Sequence, residues 1–455
     1  MAFQSMRSSL CGQLGRFSLR RVIVPVAILA SLVLAGNNCG ESSLTSRSSE
    51  LPASSAASSA PSAALSPTAA QQQAKQSSLA TPGEQNTPTK PGTSATDQDP
   101  ARQLLAKLSL RHKAAQVLLA SFSGNAANSY LSELLETGPP GGLLLLESNI
   151  VDQTQLAELL SYAQDTAREA TGAGLLVAVD QEGGPVVRLR QGAPSVPAAR
   201  VVGEKYSLLE AARLAEDTAK ALGAVGININ LAPVADVVSD PKSFLYQRTY
   251  SGDPTIVARY VRAITEGYRK GGLATVVKHF PGHGCAPGDT HSMAVVSTSS
   301  QSEFATIHFP PFMAAIEAGT DGIMMAHVVA TAYDNEHPAS LSPTLVNTVL
   351  REGLGFAGVV VADDLEMAAV AWGQQAAEVG SSKSSVRTPD PAQTAVAALL
   401  AGCDLLISTG TLDRQLSIID GIVEAIASGD LPQERLDEAV LRILRLKMNF
   451  GVIVR

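Results

Sequence analysis

The chain has 455 residues, 45% of them apolar, enough for one large core, and its 34 Lys and Arg against 42 Asp and Glu give a formal charge of −8. A net acidic globule is poorly suited to phosphate backbones, so no nucleic-acid partner is expected. Cys11 and Cys39 lie near the N-terminus and only Cys285 and Cys403 in the globular part, which excludes a disulfide framework or a zinc ribbon.

Residues 1–21 carry Arg7, Arg16, Arg20 and Arg21 and no acid, and residues 22–36 form an uncharged apolar run. The run is shorter than the roughly 20 residues of a membrane-spanning helix, so residues 1–39 read as an export signal or an N-terminal anchor. Cys39 raises lipid attachment, although Asn37 and Asn38 stand where that processing wants small residues. Residues 40–100 are Ser, Ala, Thr, Pro and Gln with few larger aliphatics; they cannot offset their ordering entropy and read as a disordered linker. Loss of the four signal arginines takes the charge to −12 (−8 less four). The expected location is extracytoplasmic, secreted or tethered to the outer face of the membrane, and the expected state is monomeric.

From residue 117 short apolar runs recur between amphipathic stretches: 117–121, 142–146, 175–179, 227–231, 274–278, 322–326, 358–362 and 404–408. Continuous Leu-rich and β-branched runs imply strands buried on both faces and hence parallel pairing. The intervals hold helical patterns such as 208–222 and 345–352, and eight strand–helix units predict an α/β fold, a single TIM (β/α)8 barrel over 101–455. A doubly wound open sheet is the rival, but the glycine-rich phosphate turn after its first strand is missing. The last helix, 432–449, places Leu436, Val440, Ile443, Leu444 and Met448 on one face, and the four residues after Gly451 leave no room for a second domain.

A barrel works at the C-terminal ends of its strands, and there the unusual polar residues collect. Asp180 follows the third run, Lys278 ends the fifth, His327 follows the sixth, Asp363 and Asp364 follow the seventh, and Arg248 lies after the fourth. One loop gathers Lys278, His279, His283, Asp289 and His291. Glycoside hydrolysis needs one carboxylate to attack the anomeric carbon or activate water and a second group to protonate the leaving oxygen. Asp363 is a candidate for the first role. His291 is a candidate for the second, with Asp289 two residues away to fix its tautomer and raise its pKa. Metal binding by His279, His283, Asp289 and His291 is the rival chemistry; Pro281, Gly282 and Gly284 break the helix that would make His-x-x-x-His a metal pattern, and no metal or cofactor is expected.

Six motifs stand in order: Asp180-Gln181-Glu182-Gly183-Gly184, Lys278-His279-Phe280-Pro281-Gly282-His283-Gly284, Asp289-Thr290-His291, Ala326-His327-Val328, Pro338-Ala339-Ser340-Leu341-Ser342 and Val361-Ala362-Asp363-Asp364-Leu365-Glu366-Met367. Together, over about residues 108–451, they resemble glycoside hydrolase family 3 in its single-domain β-N-acetylglucosaminidase (β-hexosaminidase) branch. The resemblance implies a retaining enzyme with Asp363 as nucleophile, His291 and Asp289 as acid/base dyad, and Asp364 as a supporting acid. It implies that Asp180, Arg188, Arg248, Lys278 and His279 hold the terminal sugar, that His283 shapes the loop, and that the partner is an oligosaccharide ending in N-acetylglucosamine, from cell wall or chitin. Pro185 stands where the family often has a basic residue, and residues 285–288 are one short version of a variable loop. A β-glucosidase or a phosphorylase of the same family is the alternative; a non-catalytic sugar-binding lipoprotein is the remote one.

Overall fold

The computed structural model describes residues 99–286, 288–290, 295–371 and 390–453; the predicted export signal with Cys39, nearly all of the predicted linker, and His291 lie outside them. Ten strands follow one another: β1 (Leu118–Ala120), β2 (Gly142–Leu145), β3 (Leu176–Val179), β4 (Ile229–Asn230), β5 (Ala274–Phe280), β6 (Val295–Ser297), β7 (Gly322–Met325), β8 (Val328–Ala330), β9 (Val359–Ala362) and β10 (Leu405–Ser408). Eight of them close a barrel in the order β1-β10-β9-β7-β5-β4-β3-β2, every neighbour parallel. Each barrel strand lies within one of the eight predicted runs, except that β5 continues past Lys278 to Phe280. The strands are buried throughout, as parallel strands covered on both faces must be. β6 and β8, not anticipated, pair in parallel as a separate two-stranded sheet.

The helices begin and end on local signals. The helix Leu208–Ala224 starts with a capping box, Ser207 accepting from Glu210 N and the Glu210 carboxylate accepting from Ser207 N, and Pro254–Lys270 starts on Asp253 with proline in its first turn. The final helix, Gln433–Asn449, buries Leu436, Val440, Ile443 and Leu444 as its period requires, each side chain contributing about 1.5–3 kcal/mol on leaving water. The predicted 345–352 helix is present over Thr344–Gly353 but widely wound, its end closed by Leu354 N donating to Val349 O.

One buried acid anchors the foot of the strand that carries Asp363. Asp404, with no solvent exposure, accepts from Arg351 at 2.6 Å, Arg435 at 2.9 Å and Arg442 at 3.0 Å, and from the backbone N of Val360 in β9 at 3.0 Å. Asp404→Ala leaves three guanidiniums without their shared counter-charge. Its expected cost is about 3–5 kcal/mol of unfolding free energy, the range for breaking a buried ion pair. Denaturant unfolding checks this, and a loss below about 1 kcal/mol would mean the arginines are adequately solvated without it.

Candidate active site

The segment after β3 turns sharply. Gly183 (φ +99°) and Gly184 (φ +55°) occupy left-handed backbone, and a Cβ on either would meet Pro197 O at 2.5 Å or Ala198 Cα at 2.6 Å. Gln181 then fastens the returning segment, its Oε1 accepting from Arg188 N at 2.9 Å and Leu189 N at 3.0 Å. Asn230 at the end of β4 closes an amide pair with the Gln181 backbone, 3.0 Å in each direction. Arg188 is thereby held at the rim, and its buried Nε has no hydrogen-bond partner among the described residues.

Lys278 on β5 is the first charged centre. Its Nζ lies 2.6 Å from Asp180 Oδ1 and 2.7 Å from Glu182 Oε1. Glu182 also takes a two-pronged bond from Arg248, Nε to Oε2 at 2.8 Å and Nη2 to Oε1 at 2.7 Å. Burial pushes the Glu182 carboxyl up, but Lys278 and Arg248 outweigh it and hold it well below the usual carboxylate range. Burial likewise opposes the Lys278 charge, and Asp180 and Glu182 overcome it, so the ammonium is raised above its ordinary pKa. Lys278, Arg248 and Glu182 are thus each held in the charged form by their partners.

The second centre is Asp236, fully buried after β4. Its Oδ2 lies 2.8 Å from His279 Nδ1 and its Oδ1 accepts from the backbone N of His283. Burial raises its carboxyl, and His279 and His283 bring it below the ordinary value. A carboxylate here can only accept, so His279 Nδ1 carries the proton and Nε2 is the other edge of the ring. His283 continues the row, its Nε2 3.1 Å from Thr290 Oγ1, with Phe244 packed edge-on at 5.3 Å between ring centroids. Gly284 approaches the Val237 carbonyl so closely that a Cβ would sit 2.3 Å from it. Asp289 is half-buried on this loop.

The third centre ends β9. Asp363 N donates to Met325 O at 3.2 Å, and Asp363 Oδ1 accepts from Asp364 N at 2.8 Å. Asp364 is turned the other way, its carboxylate accepting from Glu366 N at 3.2 Å, Thr409 N at 3.0 Å and the Thr409 hydroxyl. Burial raises both carboxyls. At Asp363 the fields of His279 and His327, the Asp364 N–H and Lys278 reverse this and lower the pKa, whereas at Asp364 burial wins and the pKa is raised. Neighbouring acids driven to opposite sides of their ordinary value mark a division of labour, one an ionised carboxylate and the other an anchor.

Asp180, Lys278, His279 and Asp363, chosen from sequence, therefore meet at the C-terminal end of the barrel, and Arg248 joins them through Glu182. His283 is bonded to Asp236 through its backbone N–H and to Thr290 through its ring. Glu182 and Asp236 were not singled out. Glu182 lay inside a recognised motif, and Asp236 could have been noticed as the one acid within the apolar stretch 231–238. Arg200 was missed as well: its Nη2 donates to Val238 O at 2.6 Å and Thr249 Oγ1 at 3.0 Å, and its guanidinium lies 4.1 Å from the Tyr246 ring centroid, bracing the loop that presents Arg248.

The chain is similar to known proteins. The family model for the glycosyl hydrolase family 3 N terminal domain matches residues 109–446. A β-hexosaminidase of Methylococcus capsulatus is 35% identical over 293 residues, 63% of this chain and 81% of the relative. Among solved structures, a family 3 β-N-acetylglucosaminidase from Paenibacillus sp. superposes with a TM-score of 0.70 at 32% identity, covering 76% of this chain and 64% of that one. A β-N-acetylhexosaminidase from Beutenbergia cavernae superposes with a TM-score of 0.67 at 29% identity, covering 75% of this chain and 99% of that one. With its single parallel barrel and its charged rim, the chain belongs to glycosyl hydrolase family 3 and is a glycoside hydrolase.

Proposed function

We propose that the protein is a retaining β-N-acetylglucosaminidase that removes terminal N-acetylglucosamine from oligosaccharides outside the cytoplasm. The observation that carries the reading is Asp363, a carboxylate held ionised at the rim beside His279 and the Lys278 cluster. The names of the similar proteins, β-hexosaminidase and β-N-acetylglucosaminidase, supply the substrate class. In the first step Asp363 attacks the anomeric carbon, the bond to the glycosidic oxygen breaks, and that oxygen takes a proton from His291. In the second, His291 takes a proton from water, the water oxygen bonds to the anomeric carbon, and the bond to Asp363 breaks. Asp180 accepts from sugar hydroxyls, while Lys278, Arg248, the unpartnered Arg188 Nε and His279 donate to them. The signal-like N-terminus supports export, and the Ser/Ala-rich stretch a tether. The test is product analysis on N-acetylglucosaminyl and glucosyl disaccharides, with and without phosphate. Released N-acetylglucosamine is expected; preference for the glucosyl substrate, or a sugar phosphate product, would contradict the reading.

Glu182 gives a separate prediction. Glu182→Gln keeps the shape but removes the charge that both cations face, and truncating a buried charge pair typically costs 2–5 kcal/mol, so a loss on the order of 10²-fold in kcat/KM is expected. With one of its two carboxylates gone, the raised Lys278 pKa falls and the alkaline limb of the pH profile moves to lower pH. A rate and profile equal to those of the parent would show that Asp180 alone suffices.

A further inference from the structure

The two-stranded sheet β6–β8 sits where three functional segments meet. Five consecutive peptides tie them together. Met325 O accepts from Asp363 N at 3.2 Å, and Ala326 N donates at 2.7 Å to Phe280 O, the point where the loop bearing Asp289 and His291 leaves the barrel. That loop returns as β6, which pairs Val295, Val296 and Ser297 with Val328, Val329 and Ala330. Between these contacts stands His327, buried, with Nε2 3.0 Å from Asp364 O and Nδ1 2.6 Å from Ser340 Oγ. A carbonyl oxygen only accepts, so Nε2 carries a proton and donates it to Asp364 O, while the Ser340 hydroxyl bonds the ring at Nδ1. Ser340 is itself fixed by its N–H donating to Ala326 O at 3.1 Å.

From this we infer that His327 is a positioning residue: it holds the Asp363–Asp364 segment through the Asp364 carbonyl, next to the β6–β8 strand pair. The inference rests on the reading of Asp363 as nucleophile. Such a residue acts on the attack, not on sugar binding, and its loss falls equally on good and poor leaving groups, because attack at the anomeric carbon is required of both. A displacement near 1 Å at a reacting atom costs on the order of 10² in rate.

The experiment compares His327→Phe, His327→Gln, Ser340→Ala and Asp363→Ala in the full chain. It measures kcat and KM on a nitrophenyl glycoside and on an N-acetylglucosamine disaccharide, and product affinity by calorimetry. His327→Phe fills the space without a donor and should lose on the order of 10² in kcat on both substrates, with product affinity within about threefold. His327→Gln keeps a donor and should recover most of that loss. Ser340→Ala removes the hydroxyl that fixes the ring at Nδ1 and should lose about tenfold in kcat at unchanged KM, which decides the matter if His327→Phe does not fold. Unchanged kcat in the Phe or Ala variants, a loss confined to KM and product affinity, or a Gln variant no better than Phe overturns the inference. Full activity in Asp363→Ala overturns the nucleophile reading and the inference with it; an inactive Asp363→Ala beside a fully active His327→Phe overturns the inference alone.

Discussion

Asp363→Ala is expected to fold as the parent does and to turn over N-acetylglucosaminyl substrates on the order of 10⁴-fold or more slowly, whatever the leaving group. The fold should survive because, among the described residues, the Asp363 carboxylate accepts a short-range bond from Asp364 N, while the strand contact from its backbone to Met325 remains. Activity should be lost, because the neighbouring carboxylates are already engaged, Asp180 by Lys278 and Asp364 by Thr409. The pKa direction adds a corollary. Because Asp363 is held below the ordinary carboxylate range, the acid limb of kcat/KM assigned to it lies below that range, and activity falls as the pH drops through its pKa. Circular dichroism and thermal unfolding check the fold; steady-state kinetics on two leaving groups check the rest. Retention of more than about a tenth of the parent rate would exclude Asp363 from the chemistry.

The second large effect separates His291 from every other candidate acid. His291→Ala should lose on the order of 10²–10⁴ on a disaccharide, whose poor leaving oxygen must be protonated as the bond breaks. A nitrophenyl glycoside departs as an anion, so its first step needs little acid and the defect there should be much smaller. Asp289→Ala should show the same substrate dependence in milder form, since the proposed dyad then keeps its imidazole and loses its carboxylate. Equal losses on both substrates would assign His291 to sugar binding or loop shape. That pattern belongs instead to Asp363 and His327, so leaving-group dependence assigns each residue to its step.

The barrel was legible because its strands are buried on both faces: runs such as 175–179 and 358–362 carry apolar residues without interruption, a pattern that amphipathic helices and exposed hairpins do not share. The side sheet was not, because β6 and β8 are three residues each and their pairing joins segments more than thirty residues apart. Asp363, Lys278 and Asp180 stood out as charges at the ends of apolar runs. Glu182 has its meaning only through Arg248, 66 residues away, and Lys278, and no local spacing encodes that. Asp236 is similar: its partners His279 and His283 lie 43 and 47 residues on, across the gap between two neighbouring strands.

The proposed mechanism forms a covalent bond between the sugar and Asp363, and that bond can be trapped. A slow fluorinated N-acetylglucosaminyl fluoride would be reacted with the full chain, the protein digested, and the labelled peptide sequenced by mass spectrometry. The account requires one sugar per chain, attached at Asp363 and absent from Asp363→Ala. A label on Asp364 or Asp180, or turnover of the reagent by Asp363→Ala at the parent rate, would contradict it.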